Sequence, residues 1–138
     1  MPDKHKKFKI TDREQDILNI LWAAEKPLVA SDIAKTDTSL SINTVQAVLR
    51  KLLQKKLIQV ADIVYSGTVL SRTYQPTISS NDFTLQQFVS QFEDAKKNIT
   101  IPDFVATLLE HEKNEAQRIE ELEALLEERK RKLKSKEK

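Results

Sequence analysis

Apolar residues recur at helical spacing in three segments near the start of the chain. The first segment is DREQDILNILWAAEK, for which either Thr11 or Asp12 is the candidate N-cap, and its helical pattern stops at Pro27. A second, shorter helix is predicted around Ile33 in LVASDIAKTDTSL. The third helix runs through SINTVQAVLRKLLQKKLI, with apolar residues at i, i+3, i+4, i+7 and i+8: Val45, Val48, Leu49, Leu52 and Leu53.

After the third helix, the pattern changes to that of β-strands. The segment LIQVADIVYSGTVLSRTYQPTI is rich in β-branched residues and tyrosine, has a turn signal at Ser66–Gly67 and ends at Pro76. We predict a two-stranded hairpin. Three helices followed by a hairpin are the order of a winged helix-turn-helix, in which the third helix enters the major groove of DNA.

The rest of the chain predicts amphipathic helices. A capping signal at Ser79–Ser80 precedes DFTLQQFVSQF, and Pro102 suits the first turn of a later helix. The apolar residues lie in a charged background, so we expect a second copy of the chain to cover them, and we expect the tail from Arg129 onward to fray. The predicted dimerisation residues are Leu85, Phe88, Val89, Phe92, Phe104, Val105, Leu108, Leu109, Ile119, Leu122 and Leu126.

The predicted fold is mainly α with a small β-hairpin. It consists of a winged helix-turn-helix DNA-binding domain (residues 1–78) and a helical dimerisation region (residues 79–138). Of the 23 Lys and Arg residues, 12 lie in residues 1–78 together with 8 of the 21 Asp and Glu, so the first part is basic and the second slightly acidic. This asymmetry is compatible with a polyanion-binding part and a partner-binding part.

Composition excludes several kinds of site. The chain has no cysteine, which excludes disulfides and thiolate metal centres and favours a reducing compartment. A single glycine excludes a glycine-rich phosphate loop.

The two histidines, His5 and His111, have no nucleophile or metal ligand at useful spacing. His111 lies between two glutamates, and a metal site there is the less favoured alternative to a solvated helix surface. No segment is long and apolar enough for a signal peptide or a membrane span. We therefore expect a cytoplasmic protein that is not an enzyme and has no cofactor.

The outer face of the third helix is suited to DNA. Short side chains near its N-terminus let the backbone approach the bases, amides can bond base edges, and cations can neutralise phosphates. The alternative is the ordinary polar face of a surface helix. The candidate DNA contacts are Asn43, Thr44, Gln46, Ala47, Arg50 and Lys51, with Lys55 further along as a phosphate contact or solvated residue and Arg72 in the hairpin.

Four motifs, in this order, resemble the penicillinase repressor family: ITDREQDILNILW, ASDIA, NTVQAVLRKLLQKKLI and the Y-x-P at Tyr74–Pro76. That family includes the methicillin-resistance and copper-operon repressors of Gram-positive bacteria. The resemblance implies a dimeric winged-helix repressor that binds a palindromic operator and dimerises through its C-terminal helices. It places five residues on the operator-reading face: Thr44, Gln46, Ala47, Arg50 and Lys51.

The chain departs from the family pattern in four places. Lys56 stands where the family often has glycine at the end of the recognition helix. The hairpin is several residues longer, and its tip, IVYSGTV, could reach further along the groove or contact another protein. Copper sensing through a cysteine cluster is excluded. Repressors of this family are inactivated by proteolysis at an Asn–Phe bond. Residues 106–109, Ala-Thr-Leu-Leu, stand at roughly that place here, so a membrane sensor protease is only a candidate partner.

A winged-helix protein-association module that does not bind DNA is the alternative function.

Overall fold

The structure is a computed structural model and describes residues 9–137; His5 lies outside the described residues. The order of its elements confirms the predicted mainly α fold with a winged helix-turn-helix, in which β2 and β3 form the wing. In chain order, the elements are α1 (Asp12–Ala24), β1 (Leu28–Val29), α2 (Ala30–Thr36), α3 (Ile42–Gln54), β2 (Ile58–Ser66), β3 (Val69–Pro76), α4 (Ser80–Ala95), α5 (Ile101–Glu110) and α6 (Glu115–Lys136).

The first three helices bury their apolar faces in one core. α1 begins at a capping box, in which the Thr11 hydroxyl accepts a hydrogen bond from the Glu14 N–H at 3.2 Å and Glu14 Oε1 accepts one from the Thr11 N–H at 3.3 Å. α4 adds Phe83, whose ring centroid lies 5.5 Å from that of Trp22. The hydrophobic core cluster consists of Ile17, Leu18, Leu21, Leu28, Ile33, Leu40, Val45, Val48, Leu49, Leu52, Leu57, Ile58 and Phe83.

The predicted two-stranded hairpin is present as β2 and β3, and a strand that the sequence did not predict, β1, extends it to a three-stranded sheet. β1 pairs antiparallel with β3, with Leu28 opposite Tyr74 and Val29 opposite Thr73. A strand of two residues, both buried, has no alternation of polar and apolar positions, and periodicity therefore cannot reveal it. The turn between β2 and β3 lies where the sequence predicted it, and Gly67 has a φ of 66° at its first central position, as a type II′ turn requires.

The chain divides into two compact units between residues 91 and 92, within α4. In the second unit, α5 and α6 pack against each other, and the rings of Phe92 and Phe104 have centroids 5.9 Å apart. The functional boundary between residues 78 and 79 stays a prediction. α6 continues as a helix to Lys136, through the segment that the sequence predicted to fray.

α3 ends with a lysine in the left-handed conformation. Lys56 has a φ of 63°. Its N–H donates to the carbonyl of Leu53 at 3.0 Å, and the Leu57 N–H donates to the carbonyl of Leu52 at 3.1 Å. These two bonds form a Schellman motif, which usually has glycine at the left-handed position. Thr77 Oγ1 also donates to the Lys56 carbonyl at 2.7 Å, so the exit from α3 is fixed although the usual glycine is absent.

The C-terminus of α3 is also tied to α1 by an ion pair. Glu14 is only 1% exposed, and Lys55 Nζ lies 2.7 and 3.0 Å from its two carboxylate oxygens. Lys55 Nζ donates a third hydrogen bond to the Lys9 carbonyl at 3.1 Å. Burial alone would raise the pKa of Glu14, but the hydrogen bonds from Lys55 and Thr11 and the charge of Lys55 together lower that pKa below its ordinary value. The pair therefore satisfies a carboxylate that is buried in the core.

We expect Lys56→Gly to raise the free energy of unfolding by about 1 kcal/mol, because glycine adopts a positive φ without the steric cost of a Cβ atom. Part of this gain is offset by the greater entropy of glycine in the unfolded chain. Lys56→Ala is the matched control, since it removes the same side chain and keeps the Cβ. Urea unfolding followed by circular dichroism measures both, and equal stability of the two variants would contradict the strain at this position.

We expect Lys55→Met to lower the free energy of unfolding at neutral pH by about 3 kcal/mol, because it leaves the Glu14 carboxylate buried without a counter-charge. The double variant Glu14→Leu/Lys55→Met should lose less, since both charges are removed. The folded-state pKa of Glu14 is lowered, so the pair stabilises the protein above the ordinary carboxyl pKa of 4.5 and loses this effect as pH falls through the folded-state value. The difference in unfolding free energy between wild type and Lys55→Met, measured by urea unfolding, should accordingly become smaller in acid. A difference that does not change with pH would argue against the ion pair.

Candidate nucleic-acid interface

The N-terminus of α3 has a defined direction because the turn before it is held by hydrogen bonds. Ser41 caps the helix: its Oγ accepts from the Thr44 N–H at 3.1 Å and donates to Thr44 Oγ1 at 2.9 Å. In the preceding turn, the Asp37 carboxylate accepts from the N–H and the hydroxyl of Ser39 at 3.0 and 2.6 Å. These bonds from Ser39 lower the pKa of Asp37 below its ordinary value. Leu40, buried in the core, anchors the same turn.

Burial of one side of α3 determines which residues its other side presents. Val45, Val48, Leu49 and Leu52 are buried against the core. Of the six candidate DNA contacts on α3, Thr44 is half-buried, and its hydroxyl takes part in the cap. The other five are exposed together on the outer side: Asn43, Gln46, Ala47, Arg50 and Lys51.

A cleft separates the outer side of α3 from the wing. One part of the cleft, about 320 Å³ in volume, is lined by Gln46, Arg50, Leu53, Arg72 and Tyr74. An adjoining part of about 460 Å³ shares three of these residues and extends to the N-terminus of α3 and the tip of the wing. The structure therefore brings Arg72 of the predicted hairpin to the same surface as the candidates on α3.

The wing tip is held close to α2. Ser31 Oγ and Ser66 Oγ lie 3.3 Å apart and share a hydrogen bond. The part of the cleft between them and α3 is lined by uncharged residues, apart from Arg72: Ala30, Ser31, Ile42, Gln46, Ser66, Val69, Leu70, Ser71 and Tyr74. One end of the cleft thus carries guanidinium groups, and the other end carries apolar and hydroxyl groups.

Three cations on this surface have no counter-charge within the described chain. Arg50, Lys51 and Arg72 are exposed, and residues 9–137 offer none of them an ion pair. Their positive charge is consequently available to an anionic partner. Lys55 differs, because its three ammonium hydrogens are used by Glu14 and Lys9. A phosphate contact by Lys55 would require breaking those bonds.

The predicted dimerisation residues lie on surfaces of α4, α5 and α6, and none of them is buried in the single chain. Four are half-buried: Phe92, Val105, Leu109 and Leu122. The others are exposed: Leu85, Phe88, Val89, Phe104, Leu108, Ile119 and Leu126. In the second compact unit, an apolar groove of about 340 Å³ runs between α5 and α6 and is lined by Val105, Leu108, Leu109, Glu112, Arg118, Glu121, Leu122 and Leu125.

Several residues that line the cleft were not among the candidate DNA contacts, including Ser31, Ile42 and Tyr74. Ile42 is an exposed isoleucine at the first position of α3, where the helical pattern does not need an apolar residue. Tyr74 belongs to the Y-x-P motif, but its position opposite α3 depends on the strand pairing. Ser31 is identified only by its hydrogen bond with Ser66, and no sequence pattern predicts a contact between two residues so far apart in the chain.

The described residues contain no group of three or more His, Cys, Asp or Glu side chains able to hold a metal ion. His111 lies at the C-terminal end of α5, where its N–H donates to the Leu108 carbonyl at 3.2 Å. In the described part of the chain, no helix is long and apolar enough to cross a membrane.

Solved structures that resemble this chain include bacterial regulators. A MepR variant from Staphylococcus aureus bound to an oligodeoxyribonucleotide is 24% identical, with a TM-score of 0.47, and the match covers 94% of this chain and 84% of that one. The homodimeric winged helix-turn-helix DNA-binding domain Mb0332 from Mycobacterium bovis is 21% identical, with a TM-score of 0.44 and coverage of 70% and 84%. The adhesin competence repressor AdcR from Streptococcus pyogenes is 15% identical, with a TM-score of 0.41 and coverage of 88% and 81%. No curated protein matches the sequence.

A family match covers most of the chain. Residues 10–128 match the family described as penicillinase repressor, from the residues before α1 to the middle of α6. The match includes the whole winged helix and most of the helices that follow it, which confirms the resemblance carried by the sequence motifs. Members of this family are DNA-binding transcription regulators and not enzymes. The chain therefore belongs to the penicillinase repressor family.

Proposed function

We propose that this protein is a homodimeric, sequence-specific transcriptional repressor that recognises a palindromic operator through α3. The observation that carries the proposal is the cleft surface on which Gln46, Arg50 and Arg72 stand together, with no counter-charge for either arginine in residues 9–137. A duplex supplies both the phosphates that would neutralise the cations and the base edges that an amide can bond.

The outer side of α3 provides different contacts along its length. The major groove is about 12 Å wide and admits a single helix. Asn43 and Ala47, near the N-terminus, would let the helix approach closely, with Ala47 suited to a thymine methyl group. Gln46 can make two hydrogen bonds to adenine, and Arg50 can bond guanine or phosphate. Lys51 and Arg72 would neutralise phosphates on either side, so that the wing-side arginine and the helix lysine fix the position of α3 in the groove.

The apolar residues exposed on α4, α5 and α6 support a dimer. Side chains such as Leu85, Phe88, Leu108 and Leu126 are all more than half exposed in the single chain. Burying them against a second copy with two-fold symmetry would remove this apolar area from water. Two α3 helices related by that axis would then meet successive major grooves, which is why the operator should be palindromic.

Repression follows from occupancy in this proposal, because a compact dimer on its operator blocks the polymerase. Release by a membrane sensor protease stays a prediction, for which the family resemblance is the support. The candidate segment, Ala106–Leu109, lies within the helix α5, so cleavage there would require local unfolding of that helix.

We expect selection from a random duplex library near physiological salt to enrich an inverted repeat, and Arg50→Ala/Lys51→Ala to lose it. For the enriched duplex, the slope of log K against log salt should become less steep by roughly 2, since each phosphate contact contributes about 0.9. The matched control is Lys132→Ala/Lys134→Ala, which removes two exposed lysines from α6 and should leave the slope unchanged. Fluorescence anisotropy at several salt concentrations measures all three proteins. Equal, weak binding by wild type and Arg50→Ala/Lys51→Ala would instead favour the protein-association module.

We expect Leu108→Glu/Leu126→Glu to convert the dimer to a monomer in sedimentation equilibrium, because two charges would be buried in the subunit interface. Operator affinity should fall by about 100-fold or more, since the two half-sites would no longer be bound by linked modules. Leu133→Glu, which changes a similarly exposed leucine outside the predicted surface, is the control and should remain dimeric.

Footprints on the wild-type complex should show two half-sites about one helical turn, or a multiple, apart. A footprint of one half-site at saturating protein would rule out the dimeric arrangement.

A further inference from the structure

The wing has a composition unlike that of a hairpin that binds phosphates. From residue 57 to residue 71 the sequence contains no Lys or Arg, and its only charged residue is Asp62. The wing nevertheless exposes large apolar side chains: Tyr65 is 74% exposed, and Ile63 and Leu70 are each 59% exposed. Salt-dependent attraction to DNA requires cations that displace counterions, so this segment cannot supply it.

The strand register places these apolar residues on one face. Tyr65 lies directly opposite Leu70, and Ile63 lies directly opposite Arg72. Directly opposed residues share a face, and so do residues two apart on one strand. Ile63, Tyr65, Leu70 and Arg72 therefore form one surface, here called the wing patch. Asp62, adjacent to Ile63 on the strand, belongs to the other face.

The wing patch is continuous with the recognition surface of α3. Leu70 and Arg72 line the same part of the cleft as Ile42 and Gln46 of α3. Arg72 also lines the part that contains Arg50. Any partner that lies along α3 and reaches Arg72 would accordingly meet the apolar side chains of the patch next.

We infer that the wing patch contacts operator DNA through deoxyribose and base edges, in the groove next to the one that α3 occupies; the inference rests on the proposed function. Apolar side chains pack against thymine methyl groups in the major groove and act as wedges between base steps in the minor groove. Tyr65 and Leu70 are the specificity-determining residues of this contact. Arg72, at the edge nearest α3, makes the last phosphate contact before it.

DNA fits the patch better than a protein partner does. Stable protein–protein interfaces bury about 800 Å² on each side, which is more than four side chains on a narrow hairpin provide. Leu70 and Arg72 of the patch also line the cleft beside Gln46, so a protein or a second copy that covered them would compete with DNA for that part of the cleft. The duplex is the one occupant that satisfies the cationic and the apolar ends of the cleft together.

The test compares Tyr65→Ser/Leu70→Ser with Arg72→Ala in the full chain, using the duplex enriched by selection and anisotropy at several salt concentrations. The wing variant should bind about tenfold or more weakly with an unchanged salt slope, because it removes base contacts and no cation. Arg72→Ala should bind more weakly with a slope less steep by about 1. Val64→Ser, on the other face of β2, is the control and should bind as the wild type does.

Hydroxyl-radical footprinting supplies a second measurement, and Tyr65→Ser/Leu70→Ser should lose protection of the deoxyriboses flanking each half-site. If Tyr65→Ser/Leu70→Ser has the affinity and footprint of the wild type, the wing inference is overturned. The proposed function would still stand, provided that DNA binding depends on Arg50 and Lys51. Loss of the dimer in sedimentation would also overturn it, by assigning the patch to a second copy. Wild-type protein that enriches no duplex would reject the proposed function itself.

Discussion

The burial of the inner side of α3 is the constraint on which the proposed contacts with DNA depend. Val48, Leu49 and their neighbours fill the core, and each buried aliphatic side chain contributes roughly 2 kcal/mol. Turning the helix by one residue, about 100°, would expose several of them and bury the unpaired guanidinium of Arg50. The penalty from both changes exceeds the whole stability of a typical domain. Packing of the core therefore decides which residues a duplex can meet.

The two ends of α3 are held by different means, and this affects which cations remain available. Ser41 fixes the N-terminus by capping, whereas the C-terminus is held by Lys55 on Glu14 and by Lys56 in the left-handed conformation. A lysine whose ammonium group neutralises a buried carboxylate cannot also neutralise a phosphate, because the carboxylate would then stay buried without its counter-charge. The cations that the proposed arrangement leaves to DNA are thus Arg50 and Lys51 on α3 and Arg72 midway along the wing.

Local patterns predicted most of the fold, and contacts between distant residues account for what they missed. The spacing of apolar residues predicted α3, and the glycine of the turn predicted the wing. β1 is recognisable only from its pairing with β3, since two buried residues have no period. The partner of Lys55 lies 41 positions away in sequence, so no local rule could separate this lysine from Lys51. The candidate interface was predictable on α3, where one helix determines the face, but the apolar part of the cleft depends on strand register.

Cationic and apolar contacts contribute differently to a repressor. Phosphate contacts strengthen binding to every sequence alike, and a genome offers a great excess of competing sites. Additional lysines on the wing would raise specific and non-specific affinity together, leaving their ratio unchanged. In the inferred wing contact, Tyr65 and Leu70 would add contacts whose strength depends on methyl groups and on how readily a base step deforms, both of which vary with sequence. In the proposed arrangement, a wing whose tip carries no cation would therefore raise the ratio of specific to non-specific binding, which is the quantity that determines occupancy of an operator.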